Sequence, residues 1–198
     1  MQYRSVIEFE LRESLRVKEA VIRSGVAALA DMAEIVVAAL NDGGKIVLCG
    51  NGGSAADAQH IAAEFVGRFR RKRRPLAAIA LTTDSSLITA VGNDYGFEFI
   101  FARQVEALVT RHDVLIAIST GGGSSNVLEA VRAAQDRGAR TLGLSGGDGG
   151  QLRALVELCY CVPSDNTARV QECHIALLHA LCECVDAAFK KRSEDPPS

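Results

Sequence analysis

A chain of 198 residues carrying 22 Lys plus Arg against 24 Asp plus Glu has a formal charge of −2. That excludes the chain-wide basic excess of a dedicated nucleic-acid binder, and the length fits one full-sized domain better than two small ones. Apolar residues make up 48% and aromatics only 5%, with no Trp, 29 Ala and 18 Gly, a composition suited to helices packed closely on a sheet.

Residues 2–41 carry a helical period in two parts, Ile7, Leu11, Leu15 and Ile22, then Leu29, Ala33, Val36 and Leu40, with a weak point at Ser24-Gly25. Two helices in series are expected, ended by Asn41-Asp42-Gly43-Gly44. Beyond them, short runs rich in Val, Ile and Ala alternate with helical segments. Strands are predicted over 46–49, 77–81, 114–119, 141–145 and 156–162, and helices over 54–67, 85–91, 97–110, 124–137 and 166–190. Strands alternating with helices imply an α/β fold of three layers, a five-stranded parallel sheet flanked by helices. The expectation is a single domain over 1–191, residues 1–41 being a helical arm, with a disordered tail at 192–198.

No run reaches the roughly 18 uninterrupted apolar residues of a membrane span. Glu8, Glu10 and Glu13 stand where a secretion signal would be basic and then apolar, so a cytoplasmic protein without a membrane partner is expected. The six cysteines (49, 159, 161, 173, 182 and 184) contain no CxxC, and a chain of this size needs no staples. They read as reduced, small buried hydrophobes.

Each predicted strand is followed by small polar residues: Gly50-Asn51-Gly52-Gly53-Ser54, Thr82-Thr83-Asp84-Ser85-Ser86, Thr120-Gly121-Gly122-Gly123-Ser124-Ser125, Gly146-Gly147-Asp148-Gly149-Gly150 and Pro163-Ser164-Asp165-Asn166-Thr167. Ligands of an open parallel sheet bind beyond its carboxyl ends, and Gly-rich turns running into helices offer backbone N–H groups and a positive dipole end to an anion. The loop 119–126 suits a phosphate best. No Walker A sequence is present, and the turn after the first strand departs from GxGxxG at its third glycine. A small phosphorylated ligand remains.

His60 and Glu64 stand four apart on the helix leaving the first glycine turn, so they share a face as a general-base or metal-ligand pair, or as a plain exposed pair. The last helix carries Gln171, His174 and His179 among apolar residues, and buried polar groups there need partners. His174 and His112 are expected to be satisfied core histidines. Gln171 and His179 differ by about 80° in azimuth and roughly 12 Å along an ideal helix. To serve one site, either one acts from a neighbouring subunit or the helix starts close to 171.

The segments Cys49–His60 with Glu64, Ala80-Leu81-Thr82, Gly92-Asn93-Asp94-Tyr95, Ile118-Ser119-Thr120 and Val170–His174 with His179 together resemble the sugar isomerase (SIS) fold family. Within it they are most similar to the branch that isomerises sedoheptulose 7-phosphate to D-glycero-D-manno-heptose 7-phosphate in bacterial heptose synthesis, a match spanning residues 5–189. The resemblance implies a homotetramer assembled by the N-terminal arm, with active sites between subunits. It implies that substrate is held at Asn51, Gly52, Gly53, Ser54, Glu64, Asn93, Asp94, Ser119, Thr120, Gly121, Ser124 and Gln171. It further implies a Zn²⁺ held by His60, Glu64, Gln171 and His179, with Glu64 and His179 as the acid/base pair. One loop departs from the family: Ser-Thr-Ser-Gly-Asn-Ser is replaced by Ser119-Thr120-Gly121-Gly122-Gly123-Ser124, so a hydroxyl and an amide side chain are missing while the backbone donors remain.

A second reading is a non-catalytic SIS tetramer that binds the replication initiator protein, or another sugar-phosphate-binding SIS protein. Glu64 separates them, since the binding protein lacks that carboxylate. The basic run Arg68 to Arg74, six of seven positions positive, lacks interleaved aromatics beyond Phe69 and reads as a solvated loop or a phosphate-attracting field, with no nucleic-acid partner.

Overall fold

The computed structural model describes residues 3–190, so the predicted tail at 192–198 lies outside the described residues. Strands β1 (Ile46–Gly50), β2 (Ala78–Ala80), β3 (Val114–Ile118), β4 (Arg140–Gly146) and β5 (Leu158–Val162) form one sheet, ordered β2-β1-β3-β4-β5 and parallel throughout. β1 and β3 are buried at every position, which is why their sequences are continuously apolar instead of alternating.

Two cores lie on the two faces of the sheet. Ile46, Leu48, Val114, Ile116 and Ile118 pack with α1 (Tyr3–Ser24), α2 (Ala27–Asn41), α3 (Gly53–Val66) and α8 (Thr167–Ala188). The alternate strand residues Val47, Cys49, Leu115 and Ala117 pack with α5 (Ala102–Leu108), α6 (Ser125–Asp136) and α7 (Gly150–Leu155). α4 (Ser85–Asp94) joins this second layer through Ile88 and Val91. The three-layer arrangement follows from the period-2 division of each strand between the layers.

The break between α1 and α2 falls at Gly25, whose φ of +93° suits glycine. The Tyr160 hydroxyl on β5 pins it by donating to the carbonyls of Gly25 at 3.2 Å and Val21 at 3.3 Å. Along α1 only Ser14, Val17 and Val21 are buried, whereas Ile7, Leu11, Leu15 and Ile22 are exposed. The period that marks this helix in the sequence therefore faces away from the chain's own core.

Two elements differ from the sequence reading. The single helix predicted over 97–110 is a 3₁₀ turn at Phe97–Phe99 followed by α5. Buried Gln104 supports the junction, donating to the carbonyls of Leu81 at 2.9 Å and Ile100 at 2.8 Å. α7 was not predicted, because six residues with one buried side chain, Leu152, are too few to display a period.

Candidate active site

The strand order reverses between β1 and β3, so the crevice of an open α/β sheet opens beyond those two carboxyl ends. The turn after β1 enters α3 through Gly52 at φ +55°. There the Asn51 side chain exchanges two hydrogen bonds of 2.8 Å with that of Asn126, in the first turn of α6. Ser54 is buried beneath this turn, close against Gly50.

After β3, the Ser119 and Ser124 hydroxyls meet at 3.1 Å. Ser124 precedes α6 without capping it through its side chain, so two hydroxyls and the first-turn N–H groups face the same crevice. Gly122 is required here: its φ is +66°, and a Cβ would lie 2.0 Å from the Gly149 carbonyl oxygen. A Cβ at Gly121 or Gly123 would meet nothing within 4 Å.

The crevice deepens into a cavity of about 600 Å³ lined by Thr120, Gly121, Gly146, Gly147, Asp148, Ser164, Asp165 and Thr167. Only Thr120 and Gly121 were among the predicted site residues. The others belong to the polar turns after β4 and β5, a signal visible in the sequence that did not distinguish individual residues. Asp148 and Asp165 make that wall acidic, so an anion is better served on the side of Ser119 and Ser124.

His60, Glu64, Gln171 and His179 are not among the residues lining this cavity. Where α3 passes α8, His60 Nε2 and His179 Nε2 stand 2.9 Å apart, with the rings edge to face. Glu64 Oε1 lies 3.5 Å from His60 Nε2, as the four-residue spacing predicts. Phe69 stacks on His179, with centroids 5.3 Å apart and planes 21° apart. Burial, then the neighbouring His60 and Arg70, hold the His179 pKa below the usual imidazole value against the opposing pull of Glu64. Near neutral pH this imidazole is uncharged and can accept or relay a proton.

Gln171 lies elsewhere along the same pair of helices. A Cβ on Gly53 would fall 2.7 Å from its Nε2, so its amide rests on the first turn of α3, seven residues before His60. α8 begins at Thr167, capped by Asn166 Oδ1, which puts Gln171 in the second turn rather than at the helix start. Asn93 and Asp94 hydrogen-bond to each other at 2.8 Å at the end of α4. Among the described residues neither bonds to the other predicted site groups.

Two further expectations resolve differently. His174 is fully buried and bonds through Nε2 to the Ser145 carbonyl at 3.0 Å, whereas His112 is a surface group paired with Asp42 at 2.6 Å. The basic run is not simply solvated: the Arg73 side chain is 2% exposed and forms a 2.6 Å ion pair with the buried carboxylate of Asp186.

Among the described residues no three His, Cys, Asp or Glu groups stand ready-made as a metal cage. The chemistry of the donors nevertheless suits Zn²⁺. Two imidazoles and a carboxylate are the ligand types of a zinc site, and tetrahedral bonds of ordinary length would separate two nitrogens by about 3.3 Å. The His60–His179 and His60–Glu64 separations, 2.9 Å and 3.5 Å, lie on either side of that value.

The SIS domain family model matches residues 11–146. A phosphoheptose isomerase of Aquifex aeolicus is 54% identical over 182 residues, 92% of this chain and 95% of the relative. One from Helicobacter pylori is 48% identical over 92% of this chain and 96% of its own length. Among solved structures, the phosphoheptose isomerase of Neisseria gonorrhoeae superposes with a TM-score of 0.89 at 46% identity, covering 94% of this chain and 100% of that one. Vibrio vulnificus NanR, at 14% identity, covering 93% of this chain and 63% of that one, and a TM-score of 0.68, shares the fold alone.

Proposed function

The chain belongs to the SIS domain family, and we propose that it converts D-sedoheptulose 7-phosphate into D-glycero-D-manno-heptose 7-phosphate, the first reaction of bacterial nucleotide-heptose synthesis. It is an aldose–ketose isomerase. The observation that carries the reading is the convergence of His60, His179 and Glu64 on facing helices, in a chain 54% identical to a phosphoheptose isomerase. The initiator-binding alternative is not favoured, since the carboxylate it would lack is present beside His60.

The reaction moves one proton between carbons and one between oxygens. Glu64 takes the proton from C1 of the ketose, giving an enediolate, and returns it to C2. His179, uncharged at rest, carries the proton between O1 and O2. The phosphate binds at Ser119, Thr120, Gly121 and Ser124, at the start of α6, where backbone donors and the helix dipole offset its charge. Asn51, Gly52, Gly53, Ser54, Asn93, Asp94 and Gln171 contact the sugar. Zn²⁺ held by His60, Glu64 and His179, with Gln171 supplied from a neighbouring subunit, would supply Lewis-acid polarisation of the carbonyl.

A homotetramer with active sites between subunits belongs to the same proposal. It is supported by the exposed apolar row Ile7, Leu11, Leu15 and Ile22 on α1. A cytoplasmic setting, where a charged substrate that does not cross a bilayer unaided is retained, and use of the heptose in lipopolysaccharide or another surface glycan belong to the same proposal. The direct test is incubation with sedoheptulose 7-phosphate, with and without Zn²⁺, followed by NMR. Appearance of the aldose phosphate is expected, and its absence at high protein concentration would overturn the reading.

A further inference from the structure

The loop between α3 and β2, residues 67–77, is tied down by one buried carboxylate. Asp186 on α8, fully buried, accepts at Oδ2 from the backbone N–H groups of Arg70 at 2.8 Å and Arg71 at 2.9 Å. At Oδ1 it accepts from Arg73 Nε at 2.6 Å. Burial alone would raise the Asp186 pKa, but the two backbone donors and the Arg73 guanidinium together outweigh it and hold the group below the usual carboxylate range.

The rest of the Arg73 guanidinium turns to the end of α3. Its terminal nitrogens donate to the carbonyls of Glu64 at 2.8 Å and Phe65 at 2.9 Å, and to that of Arg74 at 3.0 Å. Carbonyls in the last turn of a helix lack intrahelical partners, and a cation there also complements the dipole. Arg73 therefore holds the peptide of Glu64 itself, while the same carboxylate fixes the two residues that follow Phe69, the ring stacked on His179.

Net stability alone does not require the arrangement. A buried ion pair costs about as much in desolvation as it returns, and apolar groups of similar volume often serve as well. What the cluster does provide is a single geometry for a loop that otherwise contains Gly67 and five further cations.

We propose that Arg73 and Asp186 are positioning residues of the reaction. Their ion pair sets Phe69 against His179 and anchors Glu64, which fixes the two proton-transfer groups relative to each other. The inference rests on the isomerase reading given above, which assigns those roles to Glu64 and His179.

The test uses the full chain and three variants, Phe69→Leu, Phe69→Tyr and Asp186→Asn. Kinetics with sedoheptulose 7-phosphate are measured beside thermal melting and the imidazole resonances of histidine-labelled protein. Phe69→Leu, in a partly exposed loop, should melt close to the parent temperature. It should shift the His179 ring protons by loss of the stacked ring, and lower kcat about 10-fold or more with KM within about two-fold, as small misplacements of reacting groups do. Phe69→Tyr keeps the stack and should recover most of kcat. Asp186→Asn should move the same His179 resonances without touching either ring. Unchanged kcat in Phe69→Leu, or unmoved His179 resonances in folded Asp186→Asn, overturns the proposal. Absence of turnover in the parent chain instead overturns the isomerase reading, and the resonance shifts then still report whether the loop positions His179.

Discussion

Asn51 and Asn126 form a closed pair of side-chain amides, each donating to the other at 2.8 Å. The bond spans the switch point of the sheet, joining the turn after β1 to the first turn of α6. A change at Asn126, which is buried, therefore acts on substrate binding through a residue that need not touch substrate. Asn126→Ala leaves Asn51 unpaired, and the expected cost is about 1–3 kcal/mol of stability. KM for the phosphosugar should rise more than kcat falls. Denaturant melts and steady-state kinetics check both parts.

Glu64 is the proposed carbon base, and its carboxylate is partly accessible beside His60. Glu64→Gln preserves size and helix propensity while removing the basic oxygen. The fold should persist by circular dichroism, and kcat should fall by roughly 10²–10⁴, the range of general-base contributions. Near-parental turnover would take Glu64 out of the mechanism.

Treatment with a chelator should lower turnover, and added Zn²⁺ should restore it, since two imidazoles and a carboxylate converge at separations suited to the ion. His60→Ala should reduce bound zinc, measured by elemental analysis, without unfolding the chain. A metal-free protein with full activity would contradict the assignment.

The glycines of the β3–α6 loop divide by function. Gly122→Ala places a Cβ 2.0 Å from a backbone carbonyl at positive φ, and a loss of about 2–4 kcal/mol with displacement of the loop is expected. Gly121→Ser and Gly123→Asn meet open space. Together they restore the usual family loop and should leave melting unchanged while lowering KM if the added polar groups reach the substrate.

Acid should destabilise the protein partly through His174. Burial lowers its pKa, only partly opposed by its bond to the Ser145 carbonyl. Among the described residues its Nδ1 and the Ser145 hydroxyl have no hydrogen-bond partner. Because the folded pKa lies below the unfolded value, the unfolded chain binds the proton more readily. The contribution is therefore fully present above about pH 6.5 and declines as the pH falls through the folded pKa. Asp113 and Asp186, whose folded pKa values are depressed, extend the loss to lower pH. Denaturant midpoints measured between pH 7.5 and 5 should fall, and less steeply in His174→Gln.

Sequence and structure agree most closely where a residue's role is local. The apolar runs of β1 and β3 state that both faces of the sheet are covered, and Gly25 marks the break between α1 and α2. The spacing of His60 and Glu64 brings the two together on one helix. Short elements without a full period, α7 and the 3₁₀ turn at Phe97–Phe99, were not legible, since a single turn leaves no pattern to read. Nor was Arg73. In the sequence it is one cation among six, and only its distance from Asp186, 113 residues away, makes it different.

By itself the sequence determined the sheet, its covering helices, the polar carboxyl-end turns and the pairing of His60 with Glu64, because hydrophobic period, turn chemistry and helical spacing act between near neighbours. Only the tertiary structure decided that His179 meets His60, that Asn126 clasps Asn51 and that Asp186 orders the basic loop. Those contacts join residues 75 to 119 positions apart. They form because parallel strands and their crossover helices bring distant segments side by side, a closure that no local pattern records.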